Sequence, residues 1–249
     1  MIIKKSSAEI EVMKEAGRIT ARALRLVGEA VRVGISTQQL DEIAEEAIRS
    51  CGAVPAFKGY HGFPATICAS LNGEVVHGIP SVKRVLSDGD ILSVDVGAVV
   101  DGYFGDSAMT FPVGSISDEA TRLLDVTRRS LEAGIAKARP GMRLYDISNA
   151  VQMVAEAAGF SVVREYVGHG IGRSMHEEPQ IPNFGPAGKG PTLQEGMVLA
   201  IEPMINAGSA AVRSLDDGWT VVTVDGAYSA HFEHTVAIGS SGPIVLTQE

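Results

Sequence analysis

Apolar residues recur with a helical period near the start of the chain. Ile10, Met13, Gly17, Thr20, Leu24, Val27 and Val31 fall on one face and predict a first helix. Ser6 and Glu9, three apart at the head of this run, have the spacing of a capping box. Ser36 and Gln39 repeat the device. Behind them Leu40, Ile43, Ala44, Ala47, Ile48 and Cys51 form a second stripe, closed by Gly52. A third helix is predicted from about Ser117 to Ala138. A fourth runs from about Arg143 to Ala158, with Leu144, Ile147, Val151, Val154 and Ala158 inward and Gly159 at its end. Elsewhere the apolar runs are short and rich in Val and Ile. "TICAS", "DILSVDVGAVV", "YFGDSAMTFPV", "MVLAIEPMI", "WTVVTV" and "HFEHTVAI" each read as a strand. The mixture predicts an α+β fold.

The pattern also repeats. "VGISTQQLDEIAEEAIRSCGA" echoes "PGMRLYDISNAVQMVAEAAGF", with Gly34 matching Gly141 and Gly52 matching Gly159 at an offset of 107 residues. The same offset lays "SDGDILSVDV" on "QEGMVLAIEP", so Gly89 falls on Gly196 and Asp95 on Glu202. An offset held from a helix pair into a strand predicts two related α/β halves, about 1–120 and 121–249, within one domain spanning 1–249.

Composition narrows the class. The chain has 249 residues, 45% hydrophobic and 20% charged, enough for one large globular domain. A formal net charge of −9 argues against a broad DNA-binding surface. The opening "MIIKKSSAEIEVMKEAG" has no apolar core of a signal peptide, and no uncharged stretch is long enough to span a bilayer. Two cysteines, Cys51 and Cys68, make no disulfide framework. A cytoplasmic monomer with no membrane partner is the expectation.

The chemistry enters with carboxylates in the wrong company. Asp95 lies inside "ILSVDVGAVV" and its repeat partner Glu202 inside "VLAIEPM". Asp106 lies in "YFGDSAMTF" and Glu233 in "AHFEHTV". A lone carboxylate among apolar residues is costly unless paired or metal-bound, and four of them make a shared cation the cheapest explanation. The Gly- and Pro-broken stretch "GHGIGRSMHEEPQIP", Gly168 to Pro182, offers His169 and His176 as partners. Oxygen-rich ligation with an imidazole suits Mn²⁺, Fe²⁺, Co²⁺ or Zn²⁺. Four carboxylates are too many for one tetrahedral zinc but would serve a pair of ions.

Five motifs then carry a resemblance: "HGIP" at His77, "SVDVGAVVDGYFGDSA", "YVGHGIGRSMHEEPQIPN", "LAIEPM" and "DGWTVVTVDGAYSAHFEHT". Together, and over nearly the whole chain, they resemble the type I methionine aminopeptidases, metallopeptidases of the pita-bread fold. The resemblance implies two pseudo-symmetric halves around a central curved antiparallel sheet flanked by helices. It implies removal of the initiator methionine from nascent proteins when the second residue is small, by hydroxide generated at two metal ions. The ligands would be Asp95, Asp106, His169, Glu202 and Glu233, with Asp106 and Glu233 bridging; the ions would be two of Co, Mn, Fe, Zn or Ni. Glu202 would also shuttle a proton. His77 would contact the scissile nitrogen and His176 the substrate carbonyl. Phe57, Tyr60, Phe63, Cys68, Met175 and Trp219 would line the methionine pocket, with relatives varying at the Phe57 and Met175 positions. A monovalent cation is implied near Asn72 and Ser229, and the N-terminal peptide of a nascent chain, at the ribosome, is the implied partner.

Other readings keep a place. A prolidase or aminopeptidase P shares fold and ligands but usually carries an extra N-terminal domain, and here the fold begins almost at residue 1. A non-catalytic module typically loses ligands. A mononuclear oxygenase leaves the carboxylates unexplained, and a two-metal nuclease is disfavoured by the net charge. A type II aminopeptidase would need a helical insertion between Glu202 and Glu233, for which the sequence has no room. The zinc-binding extension of some type I enzymes is absent from this sequence.

Overall fold

A computed structural model describes residues 2–249. Helix α1 spans Ser7–Ala30 and α2 Thr37–Ser50. Both begin on the expected capping boxes, the Ser6 hydroxyl accepting from the Glu9 N–H and the Ser36 hydroxyl from the Gln39 N–H. Helix α3 covers Asp118–Lys137, capped by Ser117, and α4 covers Leu144–Ala157. All four stay within a residue of the ends that the pattern predicts. Each buries its apolar stripe: Met13, Leu24 and Val27 of α1, Leu40 and Ile48 of α2, Leu123 and Leu131 of α3, Leu144, Ile147 and Val151 of α4.

The strands are antiparallel throughout. Ile91–Val100 and Tyr103–Pro112 form a ten-residue hairpin against which α1 packs. Its counterpart is built from Val198–Ile201 and Met204–Asn206 on one side, Ser229–His231 and His234–Ile238 on the other. Helix α3 packs against this second set. The two-half, antiparallel architecture expected from the sequence is therefore the one observed.

The repeat holds at the level of single hydrogen bonds. Gly34 N–H donates to the Leu86 carbonyl and Gly141 N–H to the Leu193 carbonyl, both at 2.9 Å. The isolated bridges Ser36–Val85 and Arg143–Thr192 also differ by 107 at each end. Gly34 and Gly141 share a left-handed φ of 87° and 86°, which a side chain would oppose. Between the strands Tyr103–Pro112 and Ser229–His231 the offset lengthens to 125. Gly97 faces Asp106 in the first half and Met204 faces His231 in the second (97 to 204, 106 to 231).

Two expected strands are interrupted. "MVLAIEPMI" breaks at Glu202–Pro203 and "HFEHTVAI" at Phe232–Glu233. Pro203 has no N–H for the ladder, so the pairing lapses there. Two of the four carboxylates thus sit at strand breaks rather than within strands.

Threonine hydroxyls stitch the halves together across this gap. The Thr235 hydroxyl accepts from the Asp106 N–H at 3.0 Å and donates to the Asp106 carbonyl at 2.8 Å. The Thr110 hydroxyl does the same for His231, at 2.9 Å each. Ser107 donates to the Glu233 carbonyl at 2.7 Å, and Glu233 N–H reaches the Ala108 carbonyl at 2.9 Å. Every one of these buried backbone groups finds a partner despite the broken ladders. No helix among the described residues is long and apolar enough to cross a membrane.

Candidate metal centre

The hairpin register brings the first two carboxylates together. Asp95 stands opposite Ala108, and Asp106 lies two residues before Ala108. Side chains alternate along a strand, so both point from one face as diagonal neighbours. The second half sets up a diagonal pair of its own. His169 stands opposite Ala200, with Glu202 two residues on. Glu233 arrives from the strand break, its main chain anchored to Ala108 and Ser107.

The result is a ring of acids without a fixed cation. Asp106 and Glu233 are buried, and Glu202 keeps a side chain 14% exposed, open to the cavity it lines. Asp95 Oδ1, Asp106 Oδ1 and Glu233 Oε1 are buried with no hydrogen-bond partner. Among the described residues, the basic side chains within 4.0 Å of these carboxylates are His169, near Asp106 and Glu202, and His231, near Glu202 and Glu233; no Lys or Arg pairs with them. Burial pushes Asp95, Glu202 and Glu233 far above the usual carboxylate range, with neighbouring acids adding to it, and pushes Asp106 up to about 7. A buried acceptor left unpaired costs about 1–3 kcal/mol, more when charged. A divalent cation answers both the missing partners and the crowded charge.

Spacing agrees. Asp106, His169 and Glu233 each offer a ligand atom, all mutually within 4.8 Å. His169 Nε2 lies 4.0 Å from Asp106 Oδ2 and 3.5 Å from Glu202 Oε1. These separations are too long for hydrogen bonds. They suit donor atoms that each sit about 2.0–2.2 Å from a common ion. The His169 tautomer is set as well. Its Nδ1 lies 2.9 Å from the Gly170 carbonyl, which can only accept, so Nδ1 carries the proton and Nε2 offers its lone pair to the ring of acids. Burial, helped by His176, holds His169 down at about 4, so it stays neutral.

The acids floor a cavity of about 250 Å³. The thirteen side chains assigned to ligands, chemistry and pocket lie on its wall, namely the five ligand candidates, His77, His176, Phe57, Tyr60, Phe63, Cys68, Met175 and Trp219, whereas Asn72 and Ser229 do not. Phe57, Phe63, Cys68 and Met175 form a buried apolar cluster, with Tyr60 and Trp219 packed against it. His77 holds a left-handed φ of 61°, a strained conformation of the kind that concentrates at functional sites. Burial keeps its imidazole neutral, at about 4. The Tyr60 hydroxyl meets His176 Nδ1 at 2.9 Å. The loop carrying His176 is pinned by a buried ion pair, Lys5 Nζ to Glu177 Oε2 at 2.6 Å.

Some of the wall was not foreseen. His61, Val76, Tyr166, Val167 and Met204 also line the cavity, and His231 lies behind Glu202 and Glu233. His61 and Tyr166 carry no local signal. His231 does: it stands two residues before Glu233, a spacing that puts both on one face of an extended chain.

The model of metallopeptidase family M24 matches residues 11–240. The chain is 57% identical to methionine aminopeptidase 1 of Bacillus subtilis (strain 168), with all of both chains covered. It superposes on the crystal structure of a methionine aminopeptidase from Thermotoga maritima with a TM-score of 0.99 at 47% identity, again over all of both chains. The prolidase of Pyrococcus horikoshii OT3 shares the fold at a TM-score of 0.79 and 22% identity. This chain covers 64% of that one.

Proposed function

This chain belongs to metallopeptidase family M24, and from that premise we propose that it is a methionine aminopeptidase, removing the first methionine of nascent proteins whose second residue is small. The observation that carries the reading is the unpartnered buried carboxylate oxygens of Asp95, Asp106 and Glu233, in one cavity with the apolar wall of Phe57, Phe63, Cys68 and Met175. Asp95, Asp106, His169, Glu202 and Glu233 would hold two divalent ions drawn from Co, Mn, Fe, Zn or Ni, with Asp106 and Glu233 as the carboxylates that would serve both. When bound, such ions acidify water enough to supply a nucleophile near neutral pH and stabilise charge on a carbonyl oxygen.

The protein's own groups do the rest. Glu202 accepts the proton of the attacking water and returns it to the leaving amine. The Tyr60 hydroxyl lies 2.9 Å from Nδ1 of His176; with the hydroxyl as donor, the His176 proton sits on Nε2 and serves the substrate carbonyl oxygen. His77 contacts the scissile nitrogen. Both histidines have depressed pKa values through burial, so they work as neutral hydrogen-bonding groups. Phe57, Phe63, Cys68, Met175 and Trp219 receive the methionine side chain; burial raises the Cys68 thiol far above its usual range and keeps it apolar. The N-terminal peptide is the substrate, met at the ribosome by a monomeric cytoplasmic enzyme of one domain, residues 1–249. A monovalent cation near Asn72 and Ser229 belongs to the same reading. In its support, Ser229 Oγ and Asn206 Oδ1, on paired residues, are buried without partners.

The test uses two peptides and a chelator. A peptide beginning Met-Ala is cleaved and its Met-Lys counterpart stays intact, because a long second side chain displaces the carbonyl, and a shift of about 1 Å costs on the order of 10²-fold in rate. Chelation abolishes cleavage, and one or more of the five metals restores it. Equal cleavage of both peptides would mean a broad aminopeptidase, and cleavage only before proline would mean a prolidase.

A further inference from the structure

One imidazole faces the metal centre without a part in it. His231 is 1% exposed, and its Nε2 has no hydrogen-bond partner. That atom lies 3.8 Å from Glu202 Oε2 and 4.0 Å from Glu233 Oε2.

The pseudo-twofold explains why it is there. Main-chain N–H and C=O of Asp106 both bond the Thr235 hydroxyl, and those of His231 both bond the Thr110 hydroxyl. Asp106 faces Gly97, and His231 faces Met204, the residue 107 further along. His231 is thus the second half's counterpart of Asp106, and its ring is turned toward the same centre. Where the first half places a carboxylate beside Asp95, the second places an imidazole beside Glu202.

We propose that His231 is a positioning residue: its Nε2–H donates to the Glu202 carboxylate and holds it in the orientation that metal binding and proton transfer require. A separation of 3.8 Å is just beyond hydrogen-bond range, and a side-chain adjustment of about 1 Å closes it. Carboxylate ligands are ordinarily held by such outer hydrogen bonds, whose loss costs about 10–100-fold in metal affinity. The role rests on Glu202 being a ligand, as proposed above.

The test compares His231→Gln with His231→Asn in the full chain. A glutamine amide reaches about as far as Nε2, whereas an asparagine amide stops near Nδ1. Mn²⁺ is titrated into the chelator-stripped proteins by calorimetry. The Gln variant keeps the dissociation constant within about threefold of the parent. The Asn variant loses roughly 10–100-fold, and at saturating Mn²⁺ its kcat on the Met-Ala peptide falls while KM stays within about twofold. His231→Leu, also without a donor, replaces Asn if that chain does not fold. Parental affinity in the donor-free variant overturns the proposal, as does a Gln variant that loses as much as Asn. A parent chain that binds no Mn²⁺ strikes instead at the metal reading itself.

Discussion

At the residue scale, Asp106 sets burial against charge. Without metal, burial lifts its carboxyl to about 7, above the unfolded value near 3.9. A folded pKa raised above the unfolded one contributes stability below about pH 4, lost progressively as pH rises through 7. Asp106→Asn removes that charge while keeping the shape. Metal-free Asp106→Asn therefore melts higher than the metal-free parent at pH 8, and the difference shrinks at pH 5, where the parent is protonated. The same variant binds metal poorly and cleaves no Met-Ala peptide. Full metal content and normal turnover in this variant would remove Asp106 from the centre. Asp95 and Asp106 were visible in the sequence because charge inside an apolar run stands out. The spacing of His231 from Glu233 places it on the same face of an extended chain, but only its pairing with Met204 brings it beside Glu202.

At the scale of elements, the helices followed their apolar stripes and caps closely, and one stripe member explains more than its pattern did. Gly17 sits on the buried face of α1, where an added Cβ would run into the Leu246 carbonyl. The contact is with backbone, which yields less readily than a side chain tip. Gly17→Ala is expected to destabilise the metal-free protein by about 1–3 kcal/mol, read from the shift of its urea midpoint. An unchanged midpoint would show that the C-terminal segment moves aside freely. The strands were less legible. Period and composition mark where a strand runs but not where its ladder lapses, so the breaks at Glu202–Pro203 and Phe232–Glu233 emerged only from the pairing.

For the whole molecule, the candidate metal centre is also a joint. Asp95 and Asp106 come from the first half, and His169, Glu202 and Glu233 from the second. The seam between them is otherwise stitched by hydroxyls such as Thr110 and Thr235. A ligand that binds only the folded state stabilises it by about 2.7 kcal/mol at a hundred times its dissociation constant. Mn²⁺ at that excess raises the parent's melting temperature by a few degrees, and chelation returns it. Asp106→Asn shows little of this response. A parent melting curve indifferent to Mn²⁺ and chelator would contradict a centre shared by the halves.

Helix ends, the two-half repeat and the acids needing a cation were all determined by local sequence. Caps, apolar period and misplaced charge are properties of neighbouring residues, and the 107-residue echo is visible without coordinates. The convergence of those acids, the place of His169 opposite Ala200, and the place of His231 opposite Met204 were decided by tertiary structure. Each depends on which strand lies beside which, and pairing is fixed by contacts between residues far apart in the chain.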